Sequence, residues 1–187
     1  MKKKIITLLF VAVSTVAWSQ SSLIKIKKDE SKIHWLAKKV TGQHEGFIHF
    51  VDGSLEMDGD QITGGTFTVD MTSINVTDLT GEYKEKLEGH LKSDDFFGVE
   101  QFPQSSLTIT KADQKMANHY EMTADLTIKG ITHPVNFEMH IEGDNAQTKL
   151  TIDRAKYNVR YGSNSFFDNL GDKAIYDEFE LDINLKM

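Results

Sequence analysis

The sequence predicts an all-β fold, a sandwich or a closed barrel of antiparallel strands, with one α-helix. Residues 120–141 alternate apolar and polar side chains almost without error, on either side of a short break at 129–134. Side chains of a β-strand point to opposite faces in turn, so the alternation indicates two half-buried strands. The same period recurs in several other segments. Strands that each have one apolar face must bury those faces together.

The other strands are predicted in chain order by the same alternation. The alternating segments are 33–37, 44–51, 55–57, 66–71, 106–110, 120–128, 135–141, 150–153 and 178–185. Between them, Asp52-Gly53 and Asp58-Gly59-Asp60 have the composition of tight turns. We therefore expect a hairpin at Asp52-Gly53 and another turn at Asp58 to Asp60.

Only residues 81–92 have convincing helical spacing. Tyr83, Leu87 and Leu91 fall four residues apart and would line one packing face. Ser93 can cap a short second turn immediately afterwards. Three phenylalanines follow, and we expect them to plug or flank the open end of a barrel, to seal its core, or both. They are Phe96, Phe97 and Phe102.

Residues 1–19 have the pattern of a signal peptide. Three lysines are followed by an apolar run at 5–16, and Ala17-Trp18-Ser19 places small residues where a signal peptidase reads them. The apolar run is shorter than the roughly 20 residues needed to span a bilayer. We expect cleavage between Ser19 and Gln20, a periplasmic or secreted protein, and a single domain over residues 20–187.

Composition excludes several function classes. The formal net charge is −7 over 187 residues, and it becomes −10 when the three lysines of residues 1–19 are removed. An acidic surface argues against nucleic acid, which is bound by clustered Lys and Arg. The absence of cysteine excludes disulfides, thiolate catalysis and cysteine-ligated metals. The length suits one ordinary domain.

Four blocks of sequence, spread over nearly all of the predicted mature chain, carry a family resemblance. The blocks are 90–103, 29–37, 126–135 and 152–162, which include Leu91-Lys92-Ser93-Asp94-Asp95-Phe96-Phe97 and Leu126-Thr127-Ile128-Lys129-Gly130. In their order and spacing they resemble the YceI-like family of bacterial polyisoprenoid-binding proteins. The resemblance implies an eight-stranded antiparallel lipocalin-like barrel with one flanking α-helix. It also implies a long-chain amphiphilic lipid in an apolar cavity, and an isoprenoid quinone, a prenyl phosphate or a fatty amide would each fit.

The inner face of the predicted barrel supplies the candidate ligand-binding residues. Periodicity alone leaves open whether these side chains meet in a packed centre or surround a cavity, and the resemblance favours the cavity. His44 is included because it shares a face with Ile48 and Phe50, and it could donate a hydrogen bond to a ligand carbonyl if that face is interior. The candidates are Trp35, His44, Ile48, Phe50, Phe67, Val69, Phe96, Phe97, Phe102, Met122, Leu126, Phe137, Met139, Phe179 and Leu181.

The candidates for contact with a ligand head group lie in the segment 153–161. The chain has 19 lysines but only two arginines, Arg154 and Arg160, with Tyr157 between them. The planar guanidinium suits bidentate contact with a carboxylate or phosphate. An ion pair with a nearby acid such as Asp153 or Asp172 is the alternative role for these arginines.

Neither a metal site nor a catalytic site is predicted. The seven histidines show no ligand spacing, and the sequence has no nucleophile elbow or phosphate-binding glycine loop. We expect a lipid-binding protein without cofactor, enzymatic activity or membrane span, able to form a homodimer. A packed, ligand-free barrel that binds another envelope protein is the alternative.

Overall fold

The computed structural model describes residues 21–187. The predicted signal peptide and its cleavage site lie outside the described residues. Within residues 21–187, no helix combines the length and the apolar composition needed to cross a membrane.

The described chain consists of nine β-strands, one α-helix and two short 3₁₀ turns. The strands are β1 (Ser21–Lys25), β2 (Lys32–Lys39), β3 (Gly42–Asp58), β4 (Gln61–Val76), β5 (Gln104–Met116), β6 (His119–Ile128), β7 (Ile131–Glu142), β8 (Asn145–Asp153) and β9 (Ile175–Lys186). The helix α1 is Gly81–Lys92, and the 3₁₀ turns are Arg154–Tyr157 and Gly171–Lys173. The predicted bounds of the helix are confirmed.

Eight of the strands form a closed antiparallel barrel. The hydrogen-bonded order is β3-β2-β9-β8-β7-β6-β5-β4, and the barrel closes because β4 also pairs with β3. The short β1 is an extra strand that pairs with the second half of β3, whereas β2 pairs with its first half. The predicted eight-stranded antiparallel barrel with one helix is therefore confirmed. The strand β1 was not predicted.

The expected hairpin at Asp52-Gly53 is wrong, because β3 runs without interruption for 17 residues. A Cβ at Gly53 would lie 2.6 Å from Cδ1 of Phe67 and 2.9 Å from Cδ1 of Ile26. Gly53 therefore does not form a turn. It allows neighbouring side chains to approach the backbone closely within a strand, which is another common role of glycine. The predicted turn at Asp58 to Asp60 is confirmed, since β3 ends at Asp58 and β4 begins at Gln61, and the φ of +60° at Gly59 suits glycine.

The barrel is filled by side chains at the end away from α1. Leu55, Ile62, Tyr120 and Met122 are at most 4% exposed there. They come from β3, β4 and β6; the inward faces of Leu55, Tyr120 and Met122 follow the predicted alternation, whereas Ile62 precedes the predicted segment of β4. This packed end leaves the other end of the barrel, next to α1, for a cavity.

The helix α1 rests on the barrel less fully than its spacing predicts. Leu87 and Leu91 pack against the core, but Tyr83 is 76% exposed. The prediction that all three residues form the packing face is therefore wrong for Tyr83. A polar contact adds to the attachment, since Oε1 of Glu88 accepts a hydrogen bond of 2.8 Å from the backbone N–H of Val76. The helix is attached to the end of β4 by the two leucines, by this bond and by a 2.7 Å hydrogen bond from Nζ of Lys84 to Oδ1 of Asn75.

Candidate functional site

Two apolar voids lie inside the barrel between α1 and the packed end. The lower void, with a cavity volume of about 80 Å³, lies in the middle of the barrel and is lined in part by Phe67, Phe137 and Met139. The upper void, with a cavity volume of about 130 Å³, lies under α1 and is lined in part by Trp35 and Phe96. Five residues line both voids and form what we call the waist. They are Ile33, Val69, Ser105, Leu126 and Leu181.

The structure brings twelve of the fifteen predicted lining residues around these voids. They are Trp35, Ile48, Phe50, Phe67, Val69, Phe96, Phe97, Leu126, Phe137, Met139, Phe179 and Leu181. Three others lie elsewhere. Met122 belongs to the packed end, and Phe102 lies against Gly98 and Gly130 beside the β6–β7 turn. His44 contacts Asp78.

An aromatic cluster closes the upper void on the α1 side. The rings of Phe96 and Phe97 meet edge to face with centroids 5.0 Å apart, and His90 contacts Phe96 at 5.7 Å and Tyr161 at 4.4 Å. Phe96 and Phe97 line the void from above. Lys129 holds this segment, because its Nζ donates a hydrogen bond of 2.8 Å to the carbonyl of Phe96. The cluster is a plug between void and surface.

The expected second turn at Ser93 takes a different form. The hydroxyl of Ser93 donates to the carbonyl of His90 at 2.7 Å, and so completes the end of α1. The backbone carbonyl of Ser93 accepts from the N–H groups of Phe96 and Gly98. Ser93 therefore joins the helix to the plug through its backbone, and its side chain caps no second helix.

Arg154 is buried in the wall of the upper void, and backbone carbonyls of the protein accept four hydrogen bonds from its guanidinium. Nε donates to the carbonyl of Tyr176, one terminal nitrogen donates to those of Val159 and Tyr161, and the other donates to that of Ile175. These bonds measure 2.9–3.2 Å. The residue is 2% exposed, and Cζ of its guanidinium lies 5.5 Å from the ring centroid of Phe96.

The charge of Arg154 is balanced by Asp177. The second terminal nitrogen of Arg154 lies 3.3 Å from Oδ1 of Asp177, whose Oδ2 accepts 2.7 Å from the hydroxyl of Ser165. Burial lowers the pKa of Arg154, and the charges of Asp177 and Asp153 oppose that shift. The ion pair considered from the sequence thus exists, with Asp177 in place of Asp153 or Asp172. Arg154 binds loop carbonyls to the barrel through four of its five N–H groups, and its second terminal nitrogen also lies beside Asp177.

The other two head-group candidates lie apart from the upper void. Arg160 is exposed and stacks at 4.6 Å over the ring of Phe166, beside a surface cleft that is also lined by Lys129 and Lys173. Asp94 and Asp95 line the same cleft, so its charge is mixed.

Tyr157 closes a gap in the barrel wall. The strands β7 and β8 pair only through Met139–Glu142 and Asn145–Thr148, and the 3₁₀ turn packs beside β7 beyond them. The Tyr157 side chain is 1% exposed, and its ring meets that of His133 edge to face at 5.4 Å. Burial raises the pKa of Tyr157, and Asp153 adds to the effect. The phenol thus lies in the wall.

His44 forms a polar pair at the edge of the barrel. Its Nδ1 lies 2.7 Å from Oδ2 of Asp78, and Oδ1 of Asp78 accepts 3.1 Å from the N–H of Glu45. Partial burial acts to raise the pKa of Asp78, but the hydrogen bonds from His44 and Glu45 outweigh it and hold that pKa below its ordinary value. The pair ties the start of β3 to the segment before α1.

Replacing Asp78 by asparagine is expected to lower the free energy of unfolding by about 1 kcal/mol at pH 7, as for a partly exposed pair. A carboxyl whose pKa is depressed by folding stabilises above its unfolded pKa of about 3.9 and loses that contribution as pH falls through the folded value. The difference between Asp78→Asn and wild type should therefore shrink below about pH 4. Urea unfolding at neutral and acid pH measures it, with Asp60→Asn as control. A difference independent of pH would contradict the assignment.

Ser105 is a lining residue that sequence reasoning missed. Its Cα is opposite that of Val69, which places its side chain on the inner face with Leu107 and Ile109. The signal was present, because extending the alternation of Leu107 and Ile109 by two residues reaches Ser105. Leu91 was assigned to helix packing alone, although it also lines the upper void.

In the part of the chain that the structure describes, no group of three or more His, Asp or Glu side chains could hold a metal ion. Two histidines face each other across β6 and β7. There the rings of His119 and His140 lie 6.5 Å apart on the outer face of the barrel.

Comparison with known proteins gives one family. Residues 24–187 match the model of the YceI-like domain. A UPF0312 protein of Staphylococcus aureus is 30% identical over 139 residues, which are 68% of this chain and 74% of that protein. A UPF0312 protein of Shewanella denitrificans is 29% identical over 99 residues, which are 53% of this chain and only half of that protein.

Solved structures share the fold at low identity. BcnA of Burkholderia cenocepacia superposes with a TM-score of 0.68 at 20% identity, over 86% of this chain and 98% of that chain. A polyisoprenoid binding domain from Saccharophagus degradans gives a TM-score of 0.59 at 13% identity, over 89% and 97%. These likenesses concern the fold.

Proposed function

Because the chain belongs to the YceI-like family, we propose that it binds a long-chain amphiphilic lipid in the two adjoining voids, as a carrier without chemistry of its own. The observation that carries the proposal is the pair of apolar voids that meet at the waist. A protein of similar fold is described as a polyisoprenoid binding domain. That description supports an isoprenoid or similar chain as the ligand here.

The lining of the voids suits an apolar chain. Both voids are lined almost entirely by apolar side chains, and because they adjoin at the waist they make one elongated apolar space. Removing a hydrocarbon tail from water contributes roughly 25 cal/mol per Å² of buried apolar surface. The tail therefore supplies most of the affinity, and polar contacts set the orientation of the ligand.

The orientation follows from the two ends of the barrel. The lower void adjoins the packed end and has no charged lining residue, whereas the upper void adjoins Arg154 and the aromatic plug. We infer that the tail occupies the lower void and the polar end lies in the upper void. Arg160 and the surface cleft would contact only a part of the ligand that emerges beyond the plug.

The polar groups of the lining support binding over catalysis. Arg154 donates to four carbonyls, and the hydroxyl of Thr148 donates to the carbonyl of Glu138 at 2.7 Å. General acid–base or nucleophilic catalysis needs a nucleophile and base within hydrogen-bonding reach. Among the described residues that line the voids, no such pair occurs.

Protein purified from a bacterial envelope or culture medium is expected to carry about one lipid per chain. Native mass spectrometry measures the bound mass, and organic extraction followed by lipid analysis identifies it. The same spectra give the mature N-terminus, which we propose to be Gln20 after export. A chain with no bound mass, which also takes up no added isoprenoid, would favour the packed interaction module instead.

A further inference from the structure

The voids are too small, as they stand, for a long lipid tail. Their cavity volumes are about 80 Å³ and about 130 Å³, whereas small-molecule pockets usually hold roughly 300–1,000 Å³. Protein interiors are close-packed and do not stretch evenly, so added volume has to come from a part of the wall that moves. Binding of the proposed ligand therefore requires an opening in the barrel.

The wall is weakest between β7 and β8. Their ladder is the shortest between neighbouring strands of the barrel, and it ends where Met139 faces Thr148. Within residues 21–187 both strands continue towards the upper end, β7 over 131–138 and β8 over 149–153, without pairing to each other. We call this unpaired stretch the seam. Pro134 lies in it, and a proline has no N–H to donate across the seam.

The seam leads directly to the voids. If the register continued past Met139 and Thr148, Phe137 would face Leu150, and both of these side chains line the lower void. Further along β8, Ile152 lines the upper void. A tail that passed between the two strands would therefore enter the voids from the side, among apolar side chains.

The 3₁₀ turn Arg154–Tyr157 closes the seam, and its attachment to β7 is slight. Nε2 of His133 donates to the carbonyl of Lys156 at 3.0 Å, and within residues 21–187 this is the only hydrogen bond between the turn and β7. The ring of Tyr157 adds an edge-to-face contact with His133 at 5.4 Å. On its other side the turn is anchored to β9, because Arg154 donates to the carbonyls of Ile175 and Tyr176. The turn can thus leave β7 while it stays attached to β9.

The mouth of the barrel is closed more firmly by the plug. The carbonyl of Leu91 accepts a hydrogen bond of 3.2 Å from the N–H of Phe97, and Nζ of Lys129 donates to the carbonyl of Phe96. The rings of Phe96 and Phe97 also pack on each other. Moving the plug would break more contacts than moving the turn away from β7.

We propose that the lipid tail enters and leaves the barrel sideways, through the seam, when the turn Arg154–Tyr157 moves away from β7. This inference rests on the proposed function and adds a route to it. His133 and Tyr157 act as positioning residues that keep the seam shut, and neither of them lines a void.

The test measures rates of ligand exchange on the full-length protein recovered after expression in bacteria. The probe is all-trans-retinol, an isoprenoid alcohol whose fluorescence rises in an apolar site, and its release is followed after mixing with excess phosphatidylcholine vesicles. His133→Ala should make both uptake and release about three- to tenfold faster, because one hydrogen bond and one ring contact across the seam are lost. The dissociation constant should change by less than about twofold, because the closed and open states of the wall bind the same tail in the same voids.

Equal acceleration of uptake and release at constant affinity is the signature of a gate, and a purely structural role would not produce it. His140→Ala is the matched control, since His140 is an exposed histidine of the same strand in the part that pairs with β8. Both of its rates should equal those of wild type.

A cross-link tests the seam without loosening it. The chain has no cysteine, so His133→Cys combined with Lys156→Cys can be joined by a short bis-maleimide, and mass spectrometry identifies the linked species. Linked protein should exchange retinol more than about tenfold more slowly than the same variant capped with N-ethylmaleimide, because the gating step is blocked.

Linked protein that exchanges retinol as fast as the capped protein would overturn this inference and leave the carrier function standing. The inference would also fail if His90→Ala, which loosens the plug, accelerated exchange while His133→Ala did not, because the tail would then pass through the mouth. Wild type that binds no retinol and carries no lipid would overturn the carrier function itself.

Discussion

Replacing Val69 by tryptophan is expected to reduce lipid bound to the protein more than tenfold while the barrel stays folded. Val69 is one of the five waist residues, with its Cα opposite those of Phe50 and Ser105. An indole at this position would occupy the junction and divide the elongated space into two short pockets. A long tail could then bury only a fraction of its apolar surface, and its binding free energy would fall in proportion.

The effect on stability should be small by comparison. Inserting a larger side chain into a filled core typically destabilises by about 1–3 kcal/mol, because neighbours are forced off their preferred conformations. At the waist the added ring enters existing empty space, so we expect a change below about 1 kcal/mol, from the same physical argument. Urea unfolding would measure it on lipid-free protein.

Thr66→Trp is the matched control, because Thr66 is on the same strand but is exposed on the outer face of the barrel. It adds the same ring without entering either void, and lipid content should match wild type. Lipid extracted per mole of protein is the primary measurement for both variants. If Val69→Trp retained the wild-type amount of lipid, the ligand would have to bind somewhere other than through the waist.

Alternation of apolar and polar residues predicted most strands, because a strand in a barrel has one solvent-exposed face and one buried face. It predicted the hairpin of β6 and β7 well, since each of these strands has one face that is apolar and one that is polar along nearly its whole length. It misplaced the hairpin at Asp52-Gly53, because the same residues serve tight turns and close contacts within a strand. Only the side chains of Phe67 and Ile26 show which use applies.

The inward-facing residues could be predicted, but the void between them could not. Alternation assigns Phe137 and Met122 to the same inner face, although Phe137 lines the lower void and Met122 lies in the packed end. Whether a barrel is hollow at a given level depends on the volumes of side chains from all eight strands together. The resemblance to a family of lipid-binding proteins, and not the alternation, favoured a cavity.

The role of Arg154 likewise depends on contacts that sequence spacing does not reveal. Its backbone partners lie 5 to 22 residues further along the chain, in a loop and at the start of β9. The sequence showed an arginine suited to a bidentate contact, which is correct chemically. In the structure the guanidinium donates hydrogen bonds to backbone carbonyl oxygens and lies beside Asp177 of the protein itself.

Replacing Arg154 by methionine is therefore expected to lower the free energy of unfolding by about 3–5 kcal/mol, as when one partner of a buried pair is removed. Methionine fills similar volume but leaves the carbonyls of Val159 and Tyr161 without this donor, and leaves Asp177 without its cation. Each buried acceptor that loses its partner adds about 1–3 kcal/mol of desolvation cost, reduced where water can enter. Urea unfolding monitored by circular dichroism measures the total.

Two further variants serve as controls. One tests whether positive charge alone suffices at position 154, and the other tests the effect of removing an exposed arginine. Arg154→Lys keeps the charge but cannot donate from three nitrogens, so it should recover only part of the lost stability. Arg160→Met removes the exposed arginine that stacks on Phe166 and should change stability by less than about 1 kcal/mol. Were Arg154→Met as stable as wild type but unable to bind lipid, Arg154 would be a ligand contact and would not stabilise the fold.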